Sequence, residues 1–342
     1  MTARDFQRPR GVVLVMVCFI LFFLITLTTA YVYSIQTELR LARNYVDDVK
    51  AYYLAKAGIY RCIAEMKRES MSGKLNPRAD LPEDAETLKR FEEIFLCYPL
   101  GDGNFTVKYQ DDFGQKGLGP MDEASLINIS SWAENKSYDS LRQLFRIALV
   151  DEEVINKLVD CLIDYVDSDD FPELSGAEYT DYEKMDPPRS IPNAPMQDAS
   201  EFLTIIDMVN YLDPGSVDYT LWYGTPGYDT NDWMQEVWHN YMDEVNPAEP
   251  PECHPGIKRF VTVNSRTSQV NRNTASEDVL RVVDPDSWEN VIEQRRTEKV
   301  QGSTGAMRIR SYGRCNNYSR MVEWLVNPSG SGYPTLMKSY EE

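Results

Sequence analysis

The chain has 342 residues, with 35 lysine and arginine side chains against 54 aspartate and glutamate side chains, so its formal net charge is −19 at pH 7. This excess of acidic groups argues against a nucleic-acid-binding protein, because contacts to phosphate groups require clustered lysine and arginine. The length is sufficient for one large domain or two to three smaller ones, with ample apolar content for a core.

The first predicted element is an uncharged, mostly apolar segment at residues 12–33. A helix of about twenty-two residues is about 33 Å long, which matches the hydrocarbon core of a bilayer. Three arginines lie within residues 1–11, and the positive-inside rule therefore places this leader in the cytoplasm and the rest of the chain across the membrane. The segment is typical of a signal anchor, and a secretory signal cleaved after Ala30 is an alternative.

A third interpretation uses Gly11, which lies between the basic leader and the apolar segment. Prepilin peptidases cut type IV pilin-like precursors at such a junction, here between Gly11 and Val12. Beyond the membrane, apolar residues recur at helical spacing and no glycine or proline occurs between residue 34 and Gly58. One continuous helix from residue 12 to about Arg68 would be about 85 Å long, and it suits a filament subunit whose helix packs among its neighbours.

Two hairpins are predicted in the part of the chain that follows. Residues 69–90 are polar with glycine and proline, which favours a loop, and the runs that begin at Phe95 and Asn104 flank a Gly-Asp-Gly turn. A second pair of alternating runs, 306–312 and 321–326, is joined through Cys315-Asn-Asn. Both hairpins are expected in one antiparallel sheet packed on the soluble half of the long helix.

A helical block separates the two hairpins. Amphipathic stretches are predicted at 140–148, 153–166, 200–209 and 276–283, whereas 213–258 is rich in glycine, proline and aromatic residues and has little periodicity. The fold class is therefore α+β: a pilin-like long N-terminal helix on an antiparallel sheet, with a large inserted helical domain. The expected division is a leader at 1–11, a transmembrane half-helix at 12–33, the soluble half-helix and first strands at 34–125, the inserted domain at 126–300, the final strands at 301–330 and a C-terminal tail at 331–342.

Several motifs in a fixed order carry a family resemblance. They are the Arg10-Gly11-Val-Val-Leu-Val junction, the Ala51-Tyr-Tyr-Leu-Ala-Lys-Ala-Gly58 run, the acidic stretch Asp164-Tyr-Val-Asp-Ser-Asp with Gly176-Ala-Glu178, the Asn193-Ala-Pro and Ser200-Glu-Phe-Leu segments, and Val270-Asn-Arg-Asn-Thr-Ala-Ser. With these motifs the chain resembles the type II secretion minor pseudopilin K family, the GspK family. The sequence departs from the family pattern at Tyr165 and Tyr179, and its 213–258 insert looks longer.

The resemblance implies a non-catalytic subunit at the tip of the pseudopilus, which supports pseudopilus assembly and protein export. Its implied partners are the minor pseudopilins I and J, the major pseudopilin filament and the prepilin peptidase. It implies a single-pass protein of the bacterial inner membrane with its body in the periplasm. Most pilins carry glutamate at the fifth mature position, where this chain has Met16; the K family is expected to lack that glutamate.

Acidic residues concentrate between Asp151 and Glu201. The sharpest cluster comprises Asp167, Asp169, Asp170, Glu178 and Asp181, with Asp164 just before it. Three of these fall in an EF-hand register, but Phe171 and Pro172 occupy positions that require an oxygen ligand and glycine, so the stretch is not an EF-hand. Oxygen ligands without nearby histidine or cysteine favour a structural Ca²⁺, to which the family resemblance also points. A solvated acidic loop is the alternative.

Catalytic motifs are missing from the sequence. Its two histidines, His239 and His254, belong to no metalloprotease pattern, and no phosphate-binding or nucleophile-elbow motif occurs. Paired carboxylates for glycoside hydrolysis stay open, because the sequence does not give their separation. The alternatives are therefore a membrane-anchored, calcium-stabilised extracytoplasmic binding protein or hydrolase, and a minor tip pilin of a type IV pilus. Five cysteines follow the apolar segment, so at most two disulfides form, with Cys97 and Cys315 as plausible neighbours.

Overall fold

The computed structural model describes residues 10–72, 85–110, 116–146, 151–225, 256–265, 267–297, 306–327 and 335–341. Its helices are α1 (Arg10–Ser72), α2 (Ala85–Phe95), α3 (Ile129–Glu134), α4 (Tyr138–Arg146), α5 (Glu152–Val166), α6 (Tyr179–Tyr182), α7 (Phe202–Leu212), α8 (Thr220–Tyr223), α9 (Glu277–Val283) and α10 (Trp288–Thr297). Its strands are β1 (Tyr98–Leu100), β2 (Gly103–Gln110), β3 (Lys116–Leu118), β4 (Met121–Asp122), β5 (Ile127–Asn128), β6 (Val261–Thr262), β7 (Met307–Cys315), β8 (Tyr318–Asn327) and β9 (Thr335–Glu341). This architecture confirms the pilin-like α+β class.

Helix α1 is one continuous element of 63 residues, as the spacing of its apolar residues predicts. Its apolar N-terminal part is long and apolar enough to cross a membrane, and none of that stretch is buried inside the protein. The other half packs on the sheet through Ala51, Ala55, Ile59, Cys62 and Met66, which recur every three or four residues. One helix therefore has an unpartnered apolar half and a half that belongs to the folded body.

The main sheet is antiparallel, with the strand order β1-β2-β7-β8-β9. Two short strands lie off this path: β3 pairs with β2, and β4 pairs with β7. The two predicted hairpins are β1–β2 and β7–β8, and they meet where Phe105 lies opposite Gly313. The prediction that both hairpins share one sheet is confirmed.

Three local predictions for the sheet region are wrong. The loop predicted at 69–90 contains the last turn of α1 and the start of α2, because Phe91, Ile94 and Phe95 form an amphipathic face that packs on the sheet core. Phe95 therefore ends a helix, and the first strand begins only at Tyr98. The predicted C-terminal tail contains β9, which pairs with β8 along Thr335–Glu341.

Small residues set the distance between α1 and the sheet. A Cβ atom at Gly313 would meet the backbone of Ala51 and Ala55, and one at Gly58 would meet the side chains of Ser311 and Phe105. The alanine and glycine positions of the motif at 51–58 therefore lie where the helix crosses the strands. This contact requires side chains no larger than these.

The inserted helices have a hydrophobic core of their own, which extends from Ile127 to Val291 and includes α5 and α7. The helices predicted at 140–148, 153–166, 200–209 and 276–283 are confirmed as α4, α5, α7 and α9. Trp222, assigned to the segment of low periodicity, is buried in this core and stacks on Phe202. Residues 226–255 of that segment, with Trp233 and Trp238, lie outside the described residues.

The insertion leaves and re-enters the sheet at neighbouring strands. Asp122 of β4 lies opposite Met307 of β7, and the Glu123 amide donates a hydrogen bond to the Ala306 carbonyl (2.8 Å). Asp122 Oδ2 accepts hydrogen bonds from Asn271 Nδ2 (2.9 Å) and Thr274 Oγ1 (3.0 Å). The asparagine- and threonine-rich motif at 270–276 therefore fastens the helical domain to the sheet.

No disulfide joins the cysteines within the described part of the chain, which are Cys18, Cys62, Cys97, Cys161 and Cys315. The suggestion that Cys97 and Cys315 are neighbours suitable for a disulfide is wrong. The two cysteines lie beside different positions of β2: the Cys97 amide donates to Thr106 Oγ1, whereas Cys315 lies opposite Gly103, three residues earlier in that strand.

Candidate metal centre

The acidic cluster lies where α5 ends and the loop to α6 begins. Asp167 follows the last turn of α5, with its amide donating to the Ile163 carbonyl (2.8 Å), and Glu178 immediately precedes α6. The ends of two helices thereby bring residues eleven positions apart to one place.

Two aspartates of α5 fix the path of this loop. Asp164 Oδ1 accepts the Glu173 amide (3.0 Å), and Asp160 Oδ2 accepts the Ser175 amide (3.0 Å). A Cβ atom at Gly176 would overlap the Asp164 carboxylate, so the loop can lie this close only with glycine there. Asp164 and Asp160 are therefore positioning residues for the loop, and their carboxylates are occupied by backbone amides.

Three carboxylates converge. One oxygen each from Asp167, Asp169 and Glu178 lies within 4.8 Å of the others, a spacing that a single ion can bridge. Asp167 Oδ1 and both carboxylate oxygens of Glu178 are buried without a hydrogen-bond partner, and Asp167 Oδ2 lies 3.3 Å from Lys136 Nζ. Buried polar atoms of this kind are costly unless something satisfies them. These three carboxylates could hold a cation.

Asn193, in the segment between α6 and α7, contacts the α5–α6 loop, and the sequence analysis missed it as a candidate ligand. Its Nδ2 atom donates to the Asp169 carbonyl (3.3 Å), whereas its Oδ1 atom is buried without a partner. Asn193 has a φ of 41°, the left-handed region that asparagine tolerates better than most residues. The sequence signal was the Asn193-Ala-Pro segment, which is distant in sequence from the aspartates and is brought to them by the fold.

The remaining predicted ligands lie outside this group of three. Asp170 is exposed, and its Oδ1 atom contacts Asn193 Nδ2 at 3.5 Å. Asp181 is occupied elsewhere, because one carboxylate oxygen accepts the Glu178 amide (3.3 Å) and the other pairs with Lys184 Nζ (2.7 Å).

The electrostatics of the site disfavour uncompensated negative charge. Burial, followed by the charge of Asp167, raises the pKa of Glu178 to about 6. Burial also raises the pKa of Asp164 to about 7, opposed by the hydrogen bond from the Glu173 amide. Lys136 Nζ lies 2.8 Å from Glu173 Oε1 and 3.3 Å from Asp167 Oδ2, and the bond to Glu173 is the main cause that raises the pKa of this lysine. The single positive charge of Lys136 therefore only partly compensates the negative charges of Asp167, Glu173 and the neighbouring carboxylates.

The donor set is chemically suited to a hard cation. Carboxylate and amide oxygens are the ligands that Ca²⁺ prefers, and Ca²⁺ tolerates the irregular geometry that a loop between two helices provides. Phe171 and Pro172 follow directly on the aspartates, so the chain supplies no EF-hand ligands at those positions.

A long N-terminal helix on an antiparallel sheet, interrupted by a helical domain with this acidic loop, defines a pilin-like α+β protein. Residues 124–211 match the family model described as type II secretion system protein K, and this match confirms the resemblance to the K family. The matched region contains the whole acidic cluster.

The fold is also similar to a chain of the GspK–GspI–GspJ complex from the type 2 secretion system of enterotoxigenic Escherichia coli. The TM-score is 0.52 at 14% sequence identity, and the similarity covers 89% of this chain and 99% of the other. At this identity the similarity concerns the fold. No curated protein sequence matches the chain.

Proposed function

We propose that this protein is a minor pseudopilin of the K type, which caps the tip of a type II secretion pseudopilus and supports its assembly and protein export. One observation carries the proposal. The region that matches protein K lies within the helical domain inserted between β4 and β7 of a pilin-like sheet, and that sheet is packed on a 63-residue helix. The role is structural rather than catalytic.

The N-terminal half of α1 has two successive roles in this proposal. It holds the precursor in the inner membrane as a single span, with the body in the periplasm, and it joins the major pseudopilin filament after cleavage between Gly11 and Val12. The exposed apolar surface of this half supports both roles, because nothing in the described chain covers it. Met16 takes the fifth mature position, and a subunit at the tip meets no amine of a subunit above it.

The partners in the proposal are minor pseudopilins of the I and J types. The related solved complex contains GspI and GspJ, and the similarity of fold supports an equivalent assembly for this chain. The apolar surface of α1 is suited to pack against the corresponding helices of such partners, since it is exposed along its first half.

A structural Ca²⁺ completes the proposal. Asp167, Asp169 and Glu178 would hold it, and the Asn193 side-chain oxygen is available as a further ligand. The ion would neutralise carboxylates that the fold forces together and would fasten the α5–α6 loop. Support comes from the unpartnered buried oxygens, which a hard cation would satisfy.

The test is mass analysis of the N-terminus after coexpression with a prepilin peptidase. A mature chain that begins at Val12 is expected, and its yield should fall in Gly11→Val, which removes the small residue before the cut. An intact Met1 in the presence of active peptidase would contradict the pseudopilin assignment, and a start at Tyr31 would indicate a cleaved secretory signal instead. Copurification of the mature chain with I-type and J-type subunits then tests the assembly itself.

A further inference from the structure

The main sheet has an outer face, on the side opposite to α1. In β7, Ser311 and Gly313 approach α1, and successive side chains of a strand point to opposite faces. Arg310, Tyr312 and Arg314 therefore lie on the outer face, where Arg314 is exposed and the other two are half-buried. Two arginines thus flank a tyrosine along one strand.

The neighbouring strands add a lysine and a methionine to this face. Phe105 and Val107 of β2 are buried in the sheet core, so Lys108 lies on the outer face, with its Nζ atom 4.7 Å from the centre of the Tyr312 ring. Met321 of β8 lies opposite Tyr312. We call the following five residues the basic sheet face: Lys108, Arg310, Tyr312, Arg314 and Met321.

Positive charge dominates the basic sheet face, although the chain carries a net charge of −19. Among the outer positions of β2, β7 and β8 that the structure describes, Glu323 is the only carboxylate, and it lies 2.7 Å from Arg310 Nη2. Arg314 lies opposite Asn104 and Ser319, whose side chains are neutral. This local excess of positive charge in an acidic chain favours a negatively charged partner.

The inserted domain contacts only one end of the outer face. At that end, Lys338 Nζ of β9 donates to the Gln197 carbonyl (2.6 Å), and Arg308 of β7 pairs with Glu123. Arg314 is six residues further along β7 and is exposed. A partner can therefore approach the basic sheet face from the end at Arg314.

The order of the side chains along β7 indicates the form of the partner. Arg310, Tyr312 and Arg314 place a cation, an aromatic ring and a cation about 6.6 Å apart from one to the next. An extended polypeptide has the same two-residue period, so acidic, apolar and acidic side chains at alternate positions would match this order. An anionic lipid surface matches less well, because it would meet a chain with a net charge of −19.

We propose that the basic sheet face binds an extended acidic segment of a partner protein. One apolar side chain of that segment packs on Tyr312 and Met321, and the carboxylates on either side of it pair with Lys108 and Arg314. This surface uses none of the acidic residues of the candidate metal centre.

The first experiment measures binding of the full chain, held in phosphatidylcholine nanodiscs, to a fluorescent peptide with the core Glu-Ser-Leu-Ser-Glu. Fluorescence anisotropy should show saturable binding that weakens as salt is added, although the net charge of the chain repels the peptide. Lys108→Glu combined with Arg314→Glu should weaken binding about tenfold or more. Arg40→Glu combined with Arg43→Glu makes the same change of charge on an exposed part of α1 and should bind as the parent does.

Absence of saturable binding by the parent chain, or an equal loss in the two double variants, would overturn the inference. Lys108→Gln combined with Arg314→Gln separates binding from folding. It introduces no repulsion, so its melting temperature should stay within about 2 °C of the parent while the peptide binds about threefold more weakly or worse. Unchanged binding in this variant would also count against the basic sheet face.

The second experiment determines the class of the partner in cells. Ser319→p-benzoylphenylalanine places a photo-crosslinker at an exposed outer position opposite Arg314. We expect a protein adduct whose crosslinked peptide carries acidic residues around an apolar one, and whose yield falls in the Lys108→Glu, Arg314→Glu background but not in the α1 control. No adduct, an adduct with lipid, or a crosslinked peptide without acidic residues would overturn the inference.

Discussion

Glu123 and Arg308 form an ion pair across the junction between the helical insertion and the sheet, with Arg308 Nε 2.6 Å from Glu123 Oε1. The Glu123 side chain is completely buried, and its other carboxylate oxygen accepts a hydrogen bond from Thr262. The pair therefore joins β7 to the first turn and to β6 of the insertion. This buried ion pair adds to the hydrogen bonds of Asp122 and of the Glu123 amide at the same junction.

We expect Arg308→Met to lower the free energy of unfolding by about 3 kcal/mol, because it leaves Glu123 buried without its counter-charge. Urea unfolding of the detergent-solubilised chain measures this effect. Arg146→Met is the control, since Arg146 pairs with Glu152 on the surface and should cost less than about 1 kcal/mol. Equal losses in the two variants would show that the buried pair has no special role.

Removal of calcium should destabilise the protein. Chelation is expected to lower the melting temperature by about 5 °C or more relative to protein at a 100-fold excess of Ca²⁺ over Kd, because binding stabilises only the folded state. Asp167→Ala combined with Glu178→Ala should abolish the response, as it removes two of the three converging carboxylates.

Asp181→Asn serves as the matched control for that series. Its carboxylate pairs with Lys184 and accepts the Glu178 amide, so the calcium response should persist. A melting curve that does not move on chelation of the parent protein would exclude the calcium proposal. A response lost equally in Asp181→Asn would place Asp181 among the ligands.

Lys136→Gln should raise the affinity for Ca²⁺ about threefold or more. The Lys136 ammonium lies 3.3 Å from Asp167 Oδ2, where it neutralises part of the charge that attracts the ion. Isothermal titration calorimetry at low ionic strength measures the change. Lys184→Gln removes the same charge beside Asp181 and should change the affinity less. If Lys136→Gln binds Ca²⁺ no more tightly than the parent, the lysine does not compete with the ion.

The contact between α1 and β7 should not tolerate a methyl group. Gly313→Ala is expected to cost about 2–3 kcal/mol of unfolding free energy, because the new Cβ would meet the backbone of Ala51 and Ala55. Gly101→Ala is the comparison: the site has free space but a φ of 60°, so only about 1 kcal/mol of backbone strain is expected. Chemical denaturation of both variants tests the difference, and a smaller loss for Gly313→Ala would refute the close packing.

Without calcium, the pH dependence of stability should carry the signature of Asp164. Its pKa is about 7 in the folded protein, above the ordinary value of 3.8, because of burial. At low pH the group is protonated in both states and contributes nothing. As pH rises from about 4 to about 7, the unfolded chain ionises first, so the folded state loses stability.

Asp164→Asn removes this titration. The stability of the variant relative to the parent should therefore increase as the pH rises through that window, in the presence of a chelator. Parallel stability curves for the two proteins would show that Asp164 is not held at a raised pKa. The comparison also cancels the contribution of exposed ion pairs, which are the same in both proteins.

Local patterns predicted much of this fold. The helical spacing of Ala51, Ala55 and Ile59 and the alternation within β7 and β8 are properties of neighbouring residues, and both elements formed as expected. Helix α2 and strand β9 were missed for the opposite reason. The amphipathic face of α2 is short and lies in a polar stretch, and β9 exists through its pairing with β8.

The acidic site was only partly visible in the sequence. The sequence indicated that Asp167, Asp169 and Glu178 were candidates, but the same reasoning could not separate them from Asp170 and Asp181. That separation depends on which backbone amides and lysines each carboxylate meets after folding. Asn193 approaches from a segment more than twenty residues away, so its part in the site depends on tertiary structure.

The hydrogen-bonded junction of Glu123 and Ala306 has a consequence for the origin of this architecture. Because the chain leaves and rejoins the sheet at adjacent strands, Met121 and Arg308 would stay in register if everything between them were replaced by a tight turn. An inserted domain with such closely spaced ends can be gained, exchanged or enlarged without disturbing the long helix and the sheet. The sequence of the inserted domain can therefore change faster in evolution than the sequences of α1 and the sheet, which must preserve their close packing on each other.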